Sequence, residues 1–494
     1  MLKKIIILSI VMILGLLVGC SDQTSEITST TSTTTVTTAT TTTITTAMIS
    51  TTTFPITTTE TTSTSSETTT INMPIVDGDE AFLNLETFTL SQLTSDFDYA
   101  IQKYEDASPK LFTDTVLTEL IIEEQRGKLV DGMNEVEFLR VLAPIIASIN
   151  CAHSGVYVSR DTYQNIAENG KFFALDVRII QDEIVVIDNS LANQISVGSV
   201  IKSINGISAT DIINVLISCN PSDGQIETTK YERVNEDFRT SLYSFVDASS
   251  FHVVQYTEPE SDLVQSISIA ALTIEEIYGE NRYGDWVPFE AVYSDNYAIL
   301  NMNSFYPFGE YTITAYKDFI DEFFLKVDTD GIENVILDVR DNGGGDPMVT
   351  SHLFNYLAKV SQPYFSASVP DYYSGLKTDV PFEEPHFNGN LYTIMNGLSG
   401  SSSGHLLALL KYQDIGVFVG VESGASYVVT DSTLGYTLFR TGLNLRISRQ
   451  AWDVAVSGLE FGRGIMPDYE YELSLSDYLS VEDEILQYTI GLID

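Results

Sequence analysis

Residues 334–345 read NVILDVRDNGGG, and the chain continues as DPMVTSHLFNYLAKV to residue 360. The largely apolar run Asn334–Val339 is the pattern of a strand buried on both faces. Three glycines then permit a tight turn, and the apolar period shifts to that of a helix. The same grammar returns downstream. LYTIMN (391–396) is a second buried strand, GLSGSSSG (397–404) a second small-residue loop, SGHLLALLKYQ (403–413) a second helix, and GVFVGV (416–421) a further strand. Upstream, YAILNMNSF (297–305) reads as a strand, and TAYKDFIDEFFLKV (314–327) carries one apolar helical stripe. Strand and helix in alternation predict an α/β core around a mostly parallel sheet. In such sheets ligands gather at the carboxyl ends of the strands. The triglycine loop and the serine loop both fall there.

The remaining chain divides by composition. Lys3 and Lys4 precede an apolar run closed by Gly19-Cys20, an export signal too short for a stable span. Its LVGC ending resembles a bacterial lipobox, which implies lipidation at Cys20, a membrane anchor and an extracytoplasmic location. Residues 20–75 are nearly all Thr and Ser and cannot bury enough surface to offset their ordering entropy, so a disordered stalk is expected. Helical periodicity marks 80–168, a small β-rich module spans 170–262, and the α/β core takes 264–494. The formal net charge of −43 argues against nucleic acid as a partner. Three cysteines, one of them in the lipobox, build neither a disulfide framework nor a zinc motif, and no metal or cofactor is expected.

Two loops of glycine and serine on one sheet edge suit nucleophilic catalysis. Backbone N–H groups turned inward by Gly343–Gly345 can stabilise an oxyanion. A serine at the mouth of the following helix lies at the positive end of its dipole. Each feature also has a plainer use: glycine for the turn alone, serine as an N-cap. GSSSG matches the GxSxG elbow, which would nominate Ser402. The α/β-hydrolase order then requires a later histidine, and only His405 follows, on the same helix. That fold is rejected. A serine nucleophile needs a base. Of five histidines, His153 in INCAHSGVYVS sits between small residues where a helix hands over to a strand.

Together these segments resemble the carboxyl-terminal-processing, or tail-specific, serine peptidases, a family that includes the tricorn core. The likeness is carried by ILDVRDNGGG, by NGLSGSSSG with its helix and GVFVGVE, and by the ending GLEFGRGIMPDYE. CAHSG looks like the histidine segment of the tricorn-like branch, and GSVIKSINGIS like a strand of a PDZ domain. The resemblance implies a βαβ core of the ClpP/crotonase-like type, a helical N-terminal region and a PDZ-like module. It implies a serine peptidase acting on polypeptides. The lysine of the family's serine–lysine branch falls on Ser426, and Lys411 does not match it, so the histidine branch is implied instead. The nucleophile falls on Ser401, the base on His153 and the orienting acid on Glu460, with Glu422, Asp431 and Asp453 as alternative acids. Gly344 and Ser402 are the implied oxyanion donors. The PDZ likeness implies capture of an extended peptide or free C-terminus, with Gly170, Lys171, Phe172 and Phe173 as the carboxylate loop.

Overall fold

The computed structural model describes residues 78–279, 286–379 and 381–493. The signal, Cys20 and the Thr/Ser tract lie outside them. Among the described residues no helix is long and apolar enough to cross a membrane.

The C-terminal half is built on a six-stranded sheet. Its order runs Phe289–Tyr293, Ala298–Met302, Asn334–Asp338, Asn390–Met395, Val417–Gly420 and Tyr469–Glu470. The first pair is antiparallel and every later pair parallel. The middle of the run at 334–339 is apolar on both faces, Val335 to Leu337, because both sheet faces are covered. Val335, Leu337 and Val339 pack with Tyr316, Ile320 and Phe324 of helix Ile313–Asp330 and with Leu406 to Leu410 of helix Ser402–Tyr412. Ile336 points the other way, into a layer with Ile394, Val419 and Ile485 of helix Glu484–Gly491. Successive side chains alternate faces, so one strand serves two cores.

A second sheet runs Val264–Ala270, Phe251–Thr257, Val200–Ile204, Glu183–Asp188 and Asp176–Ile180, with helix Ala209–Cys219 packed on it. The expected boundary at residue 262 falls inside a hairpin: Val264–Ala270 pairs along its whole length with Phe251–Thr257. Leu272–Thr273 then pairs with Lys171–Phe172, so this module runs about ten residues further than composition suggested.

The N-terminal helices Leu90–Ala107 and Glu135–Ala147 begin with capping boxes, Thr89 with Gln92 and Asn134 with Glu137. Their core is completed from the far end of the chain by Leu438, Leu443, Leu445 and Ile447. Strand Gly155–Tyr157 pairs antiparallel with Asn444–Ile447, Gly155 opposite Arg446. That pairing carries the segment just before it, including His153, to the C-terminal half.

Candidate active site

The serine loop is held by the triglycine loop. Gly400 N–H donates to Asn342 O (3.0 Å), and Asn396 Nδ2 donates to Asp341 Oδ1 (2.7 Å). The neighbouring hydroxyls are taken or hidden. Ser399 Oγ donates to Val339 O (2.7 Å), while Ser402 and Ser403 are buried. Ser401 differs. It occupies the N-cap position but makes no side-chain cap bond, and its backbone sits at φ 49°, ψ −124°. A non-glycine residue there costs about 1–3 kcal/mol, which the surrounding loop contacts must offset. The strain turns the hydroxyl away from its own helix.

What it turns toward is His153. Ser401 Oγ and His153 Nε2 lie 3.2 Å apart across 248 residues of chain. The other histidines are elsewhere. His405 Nε2 meets Trp452 O at 3.1 Å, His352 Nε2 meets Asp321 at 2.6 Å, and His252 is buried edge-on to Phe173.

The loop carrying His153 is pinned from three sides. Ala152 N–H donates to Asp223 Oδ1 (2.9 Å), Arg233 donates to Ala152 O (3.3 Å), and Ser448 N–H donates to Ser154 Oγ (3.2 Å). Burial works against a charged ring, but Asp431, the Cys151 thiol and Asp223 outweigh it and push the imidazole up to about 9. Asp223 is itself buried, which raises its carboxyl, against the pull of His153 and the Ala152 N–H.

The acid therefore departs from expectation. Glu460 is exposed and has no hydrogen bond to His153 among the described residues; its charge acts on Arg463. Its segment passes close without delivering that side chain: Gln225 N–H donates to Gly462 O (2.8 Å), and a Cβ on Gly224 would meet that same oxygen at 2.3 Å. The segment thus clamps the Asp223 turn. Glu422 is committed to Arg463 and Gly464 N–H, and Asp453 accepts from Ser368. Of the alternatives only Asp431 acts on the ring, and Asp223 was missed by sequence reading. Its PSDG context signals a turn and nothing more. Lys411 pairs with Asp468 at 2.5 Å, in keeping with its rejection as a base.

The oxyanion donors divide. Ser402 opens its helix, so its N–H has no intrahelical acceptor. Gly344 N–H donates instead to Asn342 Oδ1 (2.9 Å), so this expected donor is occupied in the resting molecule. The glycine is nonetheless demanded here: at φ +96° its Cβ would lie 2.7 Å from Ser401 Cβ and 2.8 Å from Ser402 N.

The proposed carboxylate loop is closed. Phe172 and Phe173 are core, 4% and 1% exposed. Lys171 N–H donates to Asp79 Oδ2 (2.7 Å), and Gly170 N–H to Ile166 O (2.8 Å). Two large apolar rings gained more from burial than from lining a groove. The edge strand Asp176–Ile180 is occupied too: Asn235 accepts from Ile179 N–H (2.6 Å) and donates to Ile179 O (3.2 Å), the two bonds an added strand would make there.

Comparison with known proteins agrees with this architecture. Residues 296–471 match the model of peptidase family S41. No curated protein matches the sequence. Mature CPAF is similar over 82% of this chain and 97% of its own, at 12% identity and TM-score 0.56. Mature CPAF complexed with lactacystin gives the same score and identity, over 82% and 98%. The photosystem II D1 C-terminal processing protease is similar over 81% and 97%, at 12% identity and TM-score 0.41.

Proposed function

We propose that this chain, a serine-type peptidase by the family S41 domain it carries at residues 296–471, cleaves polypeptides through an acyl-enzyme on Ser401 with His153 as general base. The observation that carries the reading is the 3.2 Å contact between a strained, uncapped Ser401 hydroxyl and His153 Nε2. Neutral His153 takes the hydroxyl proton at Nε2 while Oγ bonds to the substrate carbonyl carbon. The carbonyl oxygen becomes an oxyanion beside Ser402 N–H. A second donor is gained when Gly344 N–H leaves Asn342 Oδ1. The imidazolium returns its proton to the leaving amine, and water repeats the sequence to free the acyl group. Asp223 and Asp431 stabilise the imidazolium; Asp223 also fixes the ring's loop through Ala152.

The retained Ser401–His153 contact favours an active endopeptidase over a peptide-binding protein on the same fold. Cys20 would anchor it by lipid outside the cytoplasm, with the Thr/Ser tract as spacer. Hydrolysis of casein that disappears in Ser401→Ala supports the enzymatic reading; equal hydrolysis by that variant overturns it. Metabolic labelling with palmitate, lost in Cys20→Ala, tests the anchor.

A further inference from the structure

Behind the imidazole three side chains converge from two loops. Cys151 Sγ, a ring nitrogen of His153 and a carboxylate oxygen of Asp223 all lie within 4.8 Å of one another. His153 Nε2 faces Ser401, so Nδ1 is the nitrogen left for this side; it is buried, with the Cys151 thiol beside the ring and no other hydrogen-bond partner among the described residues. Asp223 is 2% exposed; its Oδ1 accepts Ala152 N–H, and its Oδ2 has no partner. Cys151 is equally buried, with the Thr430 hydroxyl at 2.6 Å and the Ser448 hydroxyl at 3.1 Å from Sγ. Both hydroxyls can turn to donate to a thiolate, the outer support a metal-bound sulfur needs.

A thiolate, an imidazole and a carboxylate form a ligand set suited to zinc. Its bonds to them run about 2.0–2.3 Å, which sets tetrahedral ligand atoms roughly 3.5 Å apart. Small side-chain movements close the present spacing to that value. Two buried polar atoms supply the motive, His153 Nδ1 with only the thiol beside it and Asp223 Oδ2 with no partner among the described residues: a cation would satisfy both. A cavity of about 430 Å³ is lined in part by Asn150, Ser222 and Gly224, the sequence neighbours of two of the ligands.

We propose that Cys151, His153 and Asp223 form an inhibitory site for a borderline divalent cation, Zn²⁺ fitting best, which switches the peptidase off by capturing Nδ1 of its general base. With the metal on Nδ1, the neutral ring carries its proton on Nε2. That nitrogen then donates toward Ser401 Oγ and has no lone pair to receive the hydroxyl proton. The fourth position is left for water. The site is illegible as a sequence motif because its ligands come from CAH and, far downstream, PSDG. The inhibitory part rests on His153 acting as base; the binding part does not.

The test uses full-length Ser401→Ala, which keeps all three ligands, stripped of metal and titrated with Zn²⁺ by calorimetry. One ion per chain is expected, and Co²⁺ should give a thiolate-to-metal charge-transfer band. Adding Cys151→Ser should weaken Zn²⁺ binding by more than about 100-fold and abolish the band; Cys219→Ser should change neither. Should the Cys151 variant fail to fold, Asp223→Asn in the same background must show the weakened binding. Absence of binding, or affinity unchanged in the ligand variants, overturns the site. In the active protein, Zn²⁺ should suppress casein hydrolysis reversibly on chelation, and in Cys151→Ser the same concentration should remove a far smaller fraction of that variant's own metal-free rate. Zinc bound by these ligands with hydrolysis undiminished overturns the inhibitory role. Metal-free protein that never hydrolyses casein, yet binds zinc here, contradicts the peptidase mechanism and leaves the site standing.

Discussion

The serine loop at 396–404 and the segment Gly170–Phe173 looked alike in sequence, each a short glycine-bearing stretch beside a strand with a chemical use to offer. Folded, they are opposites. In the serine loop Gly400 N–H is bonded to the triglycine loop at Asn342 O, and one hydroxyl is held in a strained conformation with, among the described residues, no partner but an imidazole. In the other segment the N–H of Lys171 is spent on Asp79 and both rings are in the core. A functional loop is recognised by the group it leaves uncommitted, and by strain that packing does not require.

The comparison can be broken at either end. Ser401→Ala or His153→Ala should lower kcat/KM on casein by more than about 10⁴-fold while leaving the thermal midpoint nearly unchanged. Phe173→Ala should do the reverse: a loss of about 3–5 kcal/mol of stability by urea unfolding, with kcat/KM kept at low temperature. Activity lost without instability would return that segment to substrate binding. Gly344→Ala presses a Cβ against Ser401 and strains a positive φ, so kcat should fall about 10²- to 10³-fold with KM little changed.

The carboxylates supply a finer contrast. Asp223→Asn should reduce kcat roughly 10- to 100-fold, whereas Glu460→Gln should stay within about twofold. If the two exchange places, the orienting acid is Glu460. The pH profile sharpens this. His153 titrates at about 9 in the resting enzyme, against an ordinary 6.5, so the neutral base accumulates only as pH rises through that range. The kcat/KM of metal-free enzyme should climb to a plateau above about 9, and Asp223→Asn should move that limb toward lower pH. By the same linkage, the imidazolium's contribution to stability is complete below 6.5 and is lost as pH rises through about 9.

Much of the fold was legible because a strand covered on both faces must be apolar along its middle, as Val335–Leu337 is, and the loops after it must turn sharply. Ser401 and His153 were legible through the family resemblance, since nothing local to either implies a contact across 248 residues. The acid was not. Of the two acids that act on the ring, Asp431 stood among the alternatives, whereas Asp223 is placed by where its turn is clamped against Gly462, a tertiary fact without a local pattern. Phe172 and Phe173 were misjudged for a related reason: an apolar pair beside a strand reads the same whether it lines a groove or fills a core. The hairpin crossing residue 262 had no composition change to mark it.

The most direct measurement is intact-mass analysis of the full-length protein after reaction with a fluorophosphonate, followed by peptide mapping. A single adduct on Ser401, absent in Ser401→Ala and strongly slowed in His153→Ala, is the predicted result. An adduct that persists in Ser401→Ala, or maps to another serine of the loop, would contradict the assignment of the nucleophile and the chemistry built on it.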